Sequence, residues 1–237
     1  MPATPSAEAA ALLRRLRREL RTVARPENAL AMQAYMKSAM PFLGVSADDL
    51  RAACRRIFPT LELRDAAHWR SLVLGLWHAA RYREERHAAI ELSGLRAARP
   101  FQDMGALPLY EELITTGAWW DFVDVLTKHR LGPLLRQNPR EMGATMLAWS
   151  CDPNLWKRRS SILCQLDFKQ QTDRELLYAC IEPSLGSREF FLQKAIGWAL
   201  RQLAWSDPND VRAYVRAHAD RLAALSRREA LKNVGPA

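Results

Sequence analysis

Apolar residues recur every three or four positions along almost the entire chain, and this spacing is the strongest constraint on its fold. Such a period places apolar side chains on one face of an α-helix, whereas a half-buried strand alternates at every second residue. The breaks in the pattern fall at Pro, Gly and Asp-Pro. We therefore expect an all-α protein, with helices at 6–24, 27–39, 47–58, 65–79, 83–97, 106–117, 119–130, 139–150, 154–167, 172–181, 188–204, 208–219 and 226–234.

Residues suited to capping support several of these helix starts. Ser46 offers a hydroxyl with Asp49 three residues later, which is the arrangement of a capping box. Asp152 and Asp207 each precede a proline, a residue favoured at the first helical position. We expect a helix to begin directly after Ser46, Asp152 and Asp207.

A weak internal repeat runs through the helical pattern. A long or apolar residue is followed three positions later by a basic one and then by small and aliphatic residues, in segments that start at Arg83, Trp156, Phe191 and Leu225. A period near 35 residues is close to that of HEAT-like helical pairs, whose second helices line one concave face. The alternative is chance repetition with solvated arginines. No Gly/Ser-rich linker divides the chain, so we expect a single domain spanning residues 1–237.

The charge balance favours a polyanionic partner. The chain has 237 residues, and its 35 Lys and Arg against 26 Asp and Glu give a net charge of +9. A positive field of this size favours nucleic acid first and an anionic membrane surface second. No apolar stretch reaches the roughly eighteen residues of a membrane span. The basic N-terminal segment resembles a transit peptide, but its apolar stripe favours the first helix of the fold.

The cysteines and histidines predict neither a disulfide framework nor a metal site. The four cysteines are scattered in apolar, helical settings without a CxxC pair, which favours buried free thiols in a reducing compartment. The five histidines show neither HxxxH nor HExxH spacing. We therefore expect no metal and no cofactor.

The stretch GAWWDFVDVL, residues 117–126, combines two indoles with two carboxylates. On a helix Trp120 and Asp124 share a face while Trp119 points elsewhere, so the pair could form a compact cation site. Alternatively, Trp120 packs in the core while Asp124 pairs with an arginine. Trp198 directly follows Gly197, a residue that serves either close helix packing or ligand access.

The motif WWDFVD at 119–124 resembles the WWDxVD signature of the bacterial AlkD family of DNA alkylation-repair glycosylases. The resemblance covers nearly the whole chain and continues through AYMK around Tyr35, FLG at 42–44, NLWKRRSSILCQLDFKQ at 154–170, SREFFLQKAIGWALRQ at 187–202 and LSRREALK at 225–232. It implies a curved right-handed α-solenoid of about six HEAT-like helical pairs, whose concave basic groove holds duplex DNA. It also implies excision of cationic alkylated purines such as 7-methylguanine and 3-methyladenine.

Carried over residue by residue, the resemblance assigns four catalytic residues. It makes Asp124 the catalytic carboxylate, Arg159 its basic partner, and Trp120 and Trp198 the indoles against the sugar and backbone of the damaged nucleotide. Phe122 departs from the family pattern by its bulk, and we expect it to face away from Asp124. The residues expected to contact DNA are Tyr35, Arg158, Lys194, Arg201, Arg227 and Arg228.

The chemistry of a cationic base explains why no acid/base pair is needed. Such a base departs as a neutral molecule, so it requires no general acid, whereas the sugar acquires positive charge that a carboxylate can stabilise. Asp124 should be ionised, and we expect Arg159 to lower its pKa. No lysine stands out as a nucleophile, so we expect no strand cleavage.

Three hypotheses follow for the whole protein. The first is a monofunctional DNA glycosylase that acts on alkylated double-stranded DNA as a monomer, without an obligate protein partner or a membrane. We expect it in the bacterial cytoplasm and associated with the nucleoid in use. The alternatives are a non-catalytic HEAT-like protein that binds distorted or branched DNA, and a scaffold for protein interactions.

Overall fold

The structure, a computed structural model, describes residues 5–234, and within this range every regular element is a helix. The prediction of an all-helical chain is therefore confirmed. The chain folds into two compact units, residues 1–109 and 110–237. The single continuous domain stays a prediction. In the described part of the chain, no helix is long and apolar enough to cross a bilayer.

The N-terminal unit contains the helices α1 (Ala7–Thr22), α2 (Pro26–Met36), α3 (Ala47–Ile57), α4 (Ala66–His78) and α5 (Arg83–Ser93), with 3₁₀ turns at Phe58–Thr60, Arg96–Phe101 and Met104–Ala106. Helix α1 packs on α3, α4 and α5. The apolar stripe of this first helix is therefore buried, with Leu16 and Leu20 fully enclosed.

Two adjacent carboxylates are buried at the start of α5. The Glu84 Oε1 atom accepts hydrogen bonds from the backbone N–H groups of Leu43, Gly44 and Val45, at 2.9, 3.0 and 3.2 Å. Gly44 has a φ of +79°, and a Cβ there would lie 1.9 Å from the Arg25 carbonyl oxygen. Residues 43–45, which overlap the FLG segment at 42–44, therefore form a backbone cradle for a buried carboxylate.

The helices of the C-terminal unit are α6 (Leu107–Gly117), which begins before the division between the units, α7 (Trp120–Leu126), α8 (Gly132–Gln137), α9 (Pro139–Ser150), α10 (Leu155–Leu163), α11 (Arg174–Ile181), α12 (Phe190–Ala204), α13 (Pro208–Ala217) and α14 (Ala224–Ala230). Helix α7 packs on α10, α10 on α12, and α12 on α14, while α9 packs on α10 and α11. This is the pairwise packing that a helical repeat predicts.

The repeated segments occupy corresponding helices of this packing. Those starting at Trp156, Phe191 and Leu225 lie on α10, α12 and α14, and the fourth lies on α5. The first residues of two successive segments touch, because the rings of Trp156 and Phe191 are 5.0 Å apart. The 35-residue period therefore describes packed neighbours.

Helix α8 was missed by the sequence prediction, which ended a helix at residue 130. The chain continues from α7 through a π-helical turn, Thr127–Leu131, directly into α8. The Gly132 N–H bonds to the carbonyl of Thr127, five residues earlier. This wider turn carries the helix into Pro133, whose missing N–H normally marks a break.

The predicted caps are confirmed at two of three positions. Ser46 accepts a hydrogen bond from the Asp49 N–H at 3.1 Å, and Asp207 caps α13 in the same way. The prediction at Asp152 was wrong. Its carboxylate accepts from the Asn154 N–H at 2.8 Å, and Asn154 is the residue that caps α10.

Three of the four cysteines are buried as expected, and all four are free thiols. The expectation was wrong for Cys151, which is exposed because it lies at the C-terminal end of α9 and begins the turn to α10. Burial raises the pKa of the Cys54 and Cys180 thiols to about 12. Neither thiol is therefore a nucleophile at neutral pH.

Candidate active site

The two tryptophans of WWDFVD differ in backbone conformation, because Trp119 is extended and Trp120 is helical. Ala118 has a left-handed φ of 44°, and Trp119 is the extended cap residue of α7. The Trp119 indole packs in an aromatic cluster, with its ring 6.1 Å from Trp156 and 5.3 Å from Phe191. Trp119 thus contributes to packing between α7, α10 and α12.

Trp120 and Asp124, one turn apart on α7, both keep part of their side chains exposed. Trp120 is half-buried at the first position of α7, and Asp124 follows one turn later with 14% of its side chain exposed. Phe122 is completely buried in the core. Its bulk therefore fills the interior on a different side of α7 from the partly open carboxylate.

Arg159 holds both carboxylate oxygens of Asp124. Its Nε and Nη2 atoms each donate a hydrogen bond of 2.7 Å, one to Oδ1 and one to Oδ2. The third nitrogen, Nη1, donates to the Phe191 carbonyl at 2.5 Å. With only 5% of its side chain exposed, Arg159 joins α7, α10 and α12 through one planar guanidinium.

The pKa of Asp124 lies above the ordinary aspartate value. Burial is the largest cause and raises it, while the hydrogen bonds and charge of Arg159 act in the opposite direction, and Asp121 adds a small further rise. Arg159 therefore lowers this pKa as expected, but burial, which the sequence did not reveal, outweighs it and makes the net shift upward. The carboxylate is poorly solvated, so a cation approaching its open side would be attracted more strongly than in water.

Helix α10 is fixed at both ends of the segment that carries Arg159. Asn154 Oδ1 accepts from the N–H groups of Trp156 and Lys157, at 2.9 and 3.3 Å. Next to Arg159, the buried Ser160 hydroxyl accepts a 2.8 Å hydrogen bond from the Thr127 hydroxyl. These contacts leave the guanidinium little freedom to move away from α7.

Trp198 lies two turns beyond Phe191 on α12, half-buried at the edge of the C-terminal core. The adjacent Gly197 serves helix packing. A Cβ there would lie 2.5 Å from the Glu229 Cβ and 3.0 Å from the Ser226 carbonyl oxygen, both on α14. Of the two roles considered for this glycine, the structure supports close contact between helices.

Gly197→Ala should destabilise the protein by about 1–3 kcal/mol, because the added methyl group displaces α14 and overpacking outweighs the gain in helix propensity. Thermal or denaturant unfolding checks this. Gly143→Ala in α9 is the matched control, since its Cβ would meet only the Leu176 Cδ2 atom at 3.8 Å. We expect that control to be stabilised by up to about 1 kcal/mol. Equal effects at the two sites would contradict the packing role.

Two of the expected DNA contacts share an acidic partner. Lys194 and Arg201 on α12 reach the Glu229 carboxylate of α14, at 3.2 and 2.8 Å. Burial acts to raise the pKa of Glu229, but Lys194, Arg201 and Lys232 together lower it. Glu229 therefore stays ionised and would compete with a phosphate for both cations.

The other residues expected to contact DNA are either hydrogen-bonded within the protein or exposed. Arg158 donates to the Ser184 hydroxyl at 3.0 Å, and Arg227 donates to the Ala219 carbonyl at 3.1 Å. Arg228 is exposed on α14. Tyr35, on α2 of the N-terminal unit, has 77% of its surface exposed. The roles of these residues toward DNA stay predictions.

Sequence reasoning missed two features around the site, an aromatic cluster and the acidic partner of Lys194 and Arg201. The aromatic cluster of Trp119, Trp156 and Phe191 could have been found from the 35-residue period, which relates the last two. Glu229 occurs in LSRREALK, 35 residues after Lys194, just as Arg159 follows Asp124. That shared spacing was a usable signal for ion pairs between neighbouring repeats.

Within the described residues, a fold of paired helices holds a largely buried carboxylate that an arginine clamps and that two indoles precede in sequence. The family model for DNA alkylation repair enzymes matches residues 16–234, and the chain belongs to this family. The resemblance inferred from WWDFVD is thereby confirmed, and the protein acts in the repair of alkylated DNA.

One solved structure extends the similarity to the fold. It is described as a predicted DNA alkylation repair enzyme from Enterococcus faecalis, with a TM-score of 0.79 and 26% sequence identity. The similarity covers 90% of this chain and 98% of that one. No curated protein sequence matches the chain.

Proposed function

We propose that the protein is a monofunctional DNA glycosylase, which hydrolyses the N-glycosidic bond of cationic alkylated purines in duplex DNA. The expected substrates are 7-methylguanine and 3-methyladenine. The observation that carries the proposal is the largely buried, bidentate Asp124–Arg159 pair, in which 14% of the Asp124 side chain stays exposed. The proposed place of action is the bacterial cytoplasm, on nucleoid DNA.

The pair suits stabilisation of a sugar cation. Each carboxylate oxygen has two lone-pair sites, so the bonds from Arg159 leave acceptor capacity on both. As the base departs, positive charge develops on the deoxyribose, and a preorganised anion in a poorly solvated site stabilises it. Asp124 would also accept a hydrogen bond from the attacking water. Because Arg159 fixes the carboxylate plane, no reorganisation is needed when the charge appears.

The indoles would complete the cation site. Trp120 lies one turn before Asp124, and its half-buried ring can present a face to the sugar. Trp198 would contribute a second face from α12. Each such contact with a developing cation contributes about 0.5–2 kcal/mol. Arg158, Lys194, Arg201, Arg227, Arg228 and Tyr35 are the proposed contacts to the surrounding DNA.

A lyase reaction at the resulting abasic site would need an amine that is easily deprotonated. Lys157 is the lysine of the KRR triplet, and its ammonium pairs with Glu111 at 2.8 Å and with Asp152 at 2.6 Å. Burial acts to lower its pKa, but these two partners together raise it. We therefore propose that the abasic product stays uncut.

The direct test of the activity uses methylated duplex DNA and the wild-type protein. Free 7-methylguanine should appear with time, and the strand should remain intact until alkali is added. Absence of base release together with tight binding to junction DNA would favour a non-catalytic protein for distorted DNA instead. Release accompanied by strand cleavage would contradict the monofunctional assignment.

Base release should fall on acidification with an apparent pKa above the ordinary aspartate value. Asp124 must be ionised to stabilise the sugar, and burial raises its pKa, so activity is present above that raised pKa and lost below it. Single-turnover rates from neutral to acid pH, corrected for spontaneous depurination, check this. The residual activity of Asp124→Asn should lack the acid limb; a retained limb would assign it to another group.

A further inference from the structure

Helix α1 carries a row of arginines on its solvent side. Arg14, Arg18 and Arg21 are exposed and follow the helical spacing that places side chains on one face. Together with the half-buried Arg17 they line one open depression of about 590 Å³. We call Arg14, Arg18 and Arg21 the α1 arginine face.

The acidic groups nearest in sequence are already paired elsewhere. On α1 itself, Glu8 pairs with Arg64 at 3.3 Å, and Glu19 pairs with Arg56 at 3.1 Å. None of the three arginines of the α1 arginine face has an ionic partner among residues 5–234. Three positive charges therefore stand together on one face of a single helix.

Arg17, on the same helix, is by contrast paired with a carboxylate inside the protein. Its Nε and Nη2 atoms bind the two oxygens of the fully buried Glu85, at 2.8 and 3.0 Å, and Nη2 also reaches the Ala79 carbonyl. Its charge is thus neutralised. The α1 arginine face lies beside this anchored residue but remains available to an external anion.

A second cleft extends the positive surface beyond α1. It has a volume of about 190 Å³ and is lined by Arg21 and by the exposed Arg81, among others. Since a water molecule occupies roughly 30 Å³ in the liquid, the cleft has room for a hydrated phosphate group. Arg21 and Arg81 would both be available to such a group, because Glu85, the acidic residue of the lining, is paired with Arg17.

We infer that the α1 arginine face binds the phosphate backbone of duplex DNA. The length of α1 between Arg14 and Arg21 is about 10.5 Å, which matches roughly three phosphates of one strand along the duplex axis. This surface is separate from the residues proposed above for DNA contact. The inference rests on the proposed function only in taking duplex DNA as the partner.

An anionic membrane is the weaker candidate for this surface. A helix that lies on a bilayer inserts its apolar face among the lipids. The apolar face of α1 is occupied, because Leu12, Leu16 and Leu20 are at most 5% exposed within the N-terminal unit. Only the charged side remains for a partner, as expected for binding to phosphates in water.

The test replaces the three charges together, as Arg14→Gln/Arg18→Gln/Arg21→Gln. Glutamine retains high helix propensity, so α1 should remain folded. The matched control is Arg51→Gln/Arg55→Gln/Arg56→Gln on α3, which removes the same charge from exposed arginines, two of which have acidic partners. Both proteins are titrated with unmodified duplex DNA at salt concentrations from about 50 to 200 mM, the range over which phosphate contacts dominate.

Each phosphate contact contributes about 0.9 to the slope of log affinity against log salt. The α1 variant should lose about 2.7 from this slope, so its affinity should fall roughly 40-fold less than that of the wild type over the range. The control should keep a slope close to that of the wild type. Equal slopes for the α1 and control variants would overturn the inference.

Two further measurements, with a single-residue variant and with lipid vesicles, test for misfolding and identify the partner. Arg18→Gln alone should lower the slope by about 0.9. Wild-type binding to vesicles of anionic lipid that the triple variant abolishes, with DNA binding unchanged, would overturn the assignment to DNA. Because the titration uses undamaged DNA, it remains decisive if the wild type releases no base. Conversely, base release without a slope change would refute only this surface.

Discussion

Asp124→Asn should reduce single-turnover release of 7-methylguanine by about 100- to 1,000-fold, the usual cost of removing one preorganised electrostatic group from an active site. The amide keeps the shape of the carboxylate but carries no charge to stabilise the sugar. The rate should be measured with enzyme in excess over methylated duplex DNA. Rates equal to those of the wild type would remove Asp124 from the catalytic role.

A change to one member of a buried pair can also act through folding, so the test needs neutral-pair variants. Asp124→Asn/Arg159→Gln removes both charges and leaves no unpaired ion in the interior. It should unfold like the wild type and remain inactive. The matched control, Arg17→Gln/Glu85→Gln, neutralises another bidentate pair, in which the carboxylate is fully buried, and should retain base release at saturating DNA.

Arg159→Met should lower the free energy of unfolding by about 3–5 kcal/mol, because it leaves Asp124 buried without its counterion. The Phe191 carbonyl also loses its bond from Nη1. Chemical denaturation of the full chain measures the effect. The neighbouring Arg158→Met loses a hydrogen bond to a hydroxyl and should cost about 1 kcal/mol.

The same variant should become relatively more stable in acid. Burial already raises the pKa of Asp124 against the opposing effect of Arg159, so removing the arginine raises it further. A carboxyl whose folded pKa exceeds its unfolded value binds protons on folding, and its presence then costs stability as the pH rises through that window. If the loss in Arg159→Met is independent of pH, the unpaired-charge explanation is wrong.

The helical fold could be predicted from the sequence because interactions between residues close in the chain determine it. Apolar spacing determines which face of each helix is buried, and capping side chains such as Ser46 and Asp207 act within one turn. The two errors in the helix boundaries arose where more than one local interaction could form. The π-helical turn before Pro133 depends on a bond between residues five apart, and the cap of α10 moved from Asp152 to Asn154 within a polar turn.

Only part of the candidate site could be predicted from the sequence. Helical spacing put Trp120 and Asp124 on one face, but it left open whether the pair binds a cation or packs in the core. The resemblance to a known signature proposed Arg159 as the partner. Neither source predicted that Arg159 would hold both carboxylate oxygens and also the Phe191 carbonyl, because that depends on the packing of three helices.

The direction of the Asp124 pKa shift shows which part of an ionisation equilibrium the sequence does not provide. The charge of a partner can be read from the sequence, but desolvation depends on how deeply the packed helices enclose the group. At Asp124 burial is the larger contribution. The residue is therefore an anion maintained at some cost in a poorly solvated place, which is the property that the proposed chemistry uses.

The central claim is that a single carboxylate, without a general acid, suffices because the leaving base is already cationic. The most direct measurement compares release of 7-methylguanine with release of the neutral O6-methylguanine from otherwise identical duplexes by the wild-type protein. We predict release of the cationic base alone, since a neutral purine would require a general acid. Comparable release of both bases would contradict the account, because a proton donor would then have to act alongside Asp124.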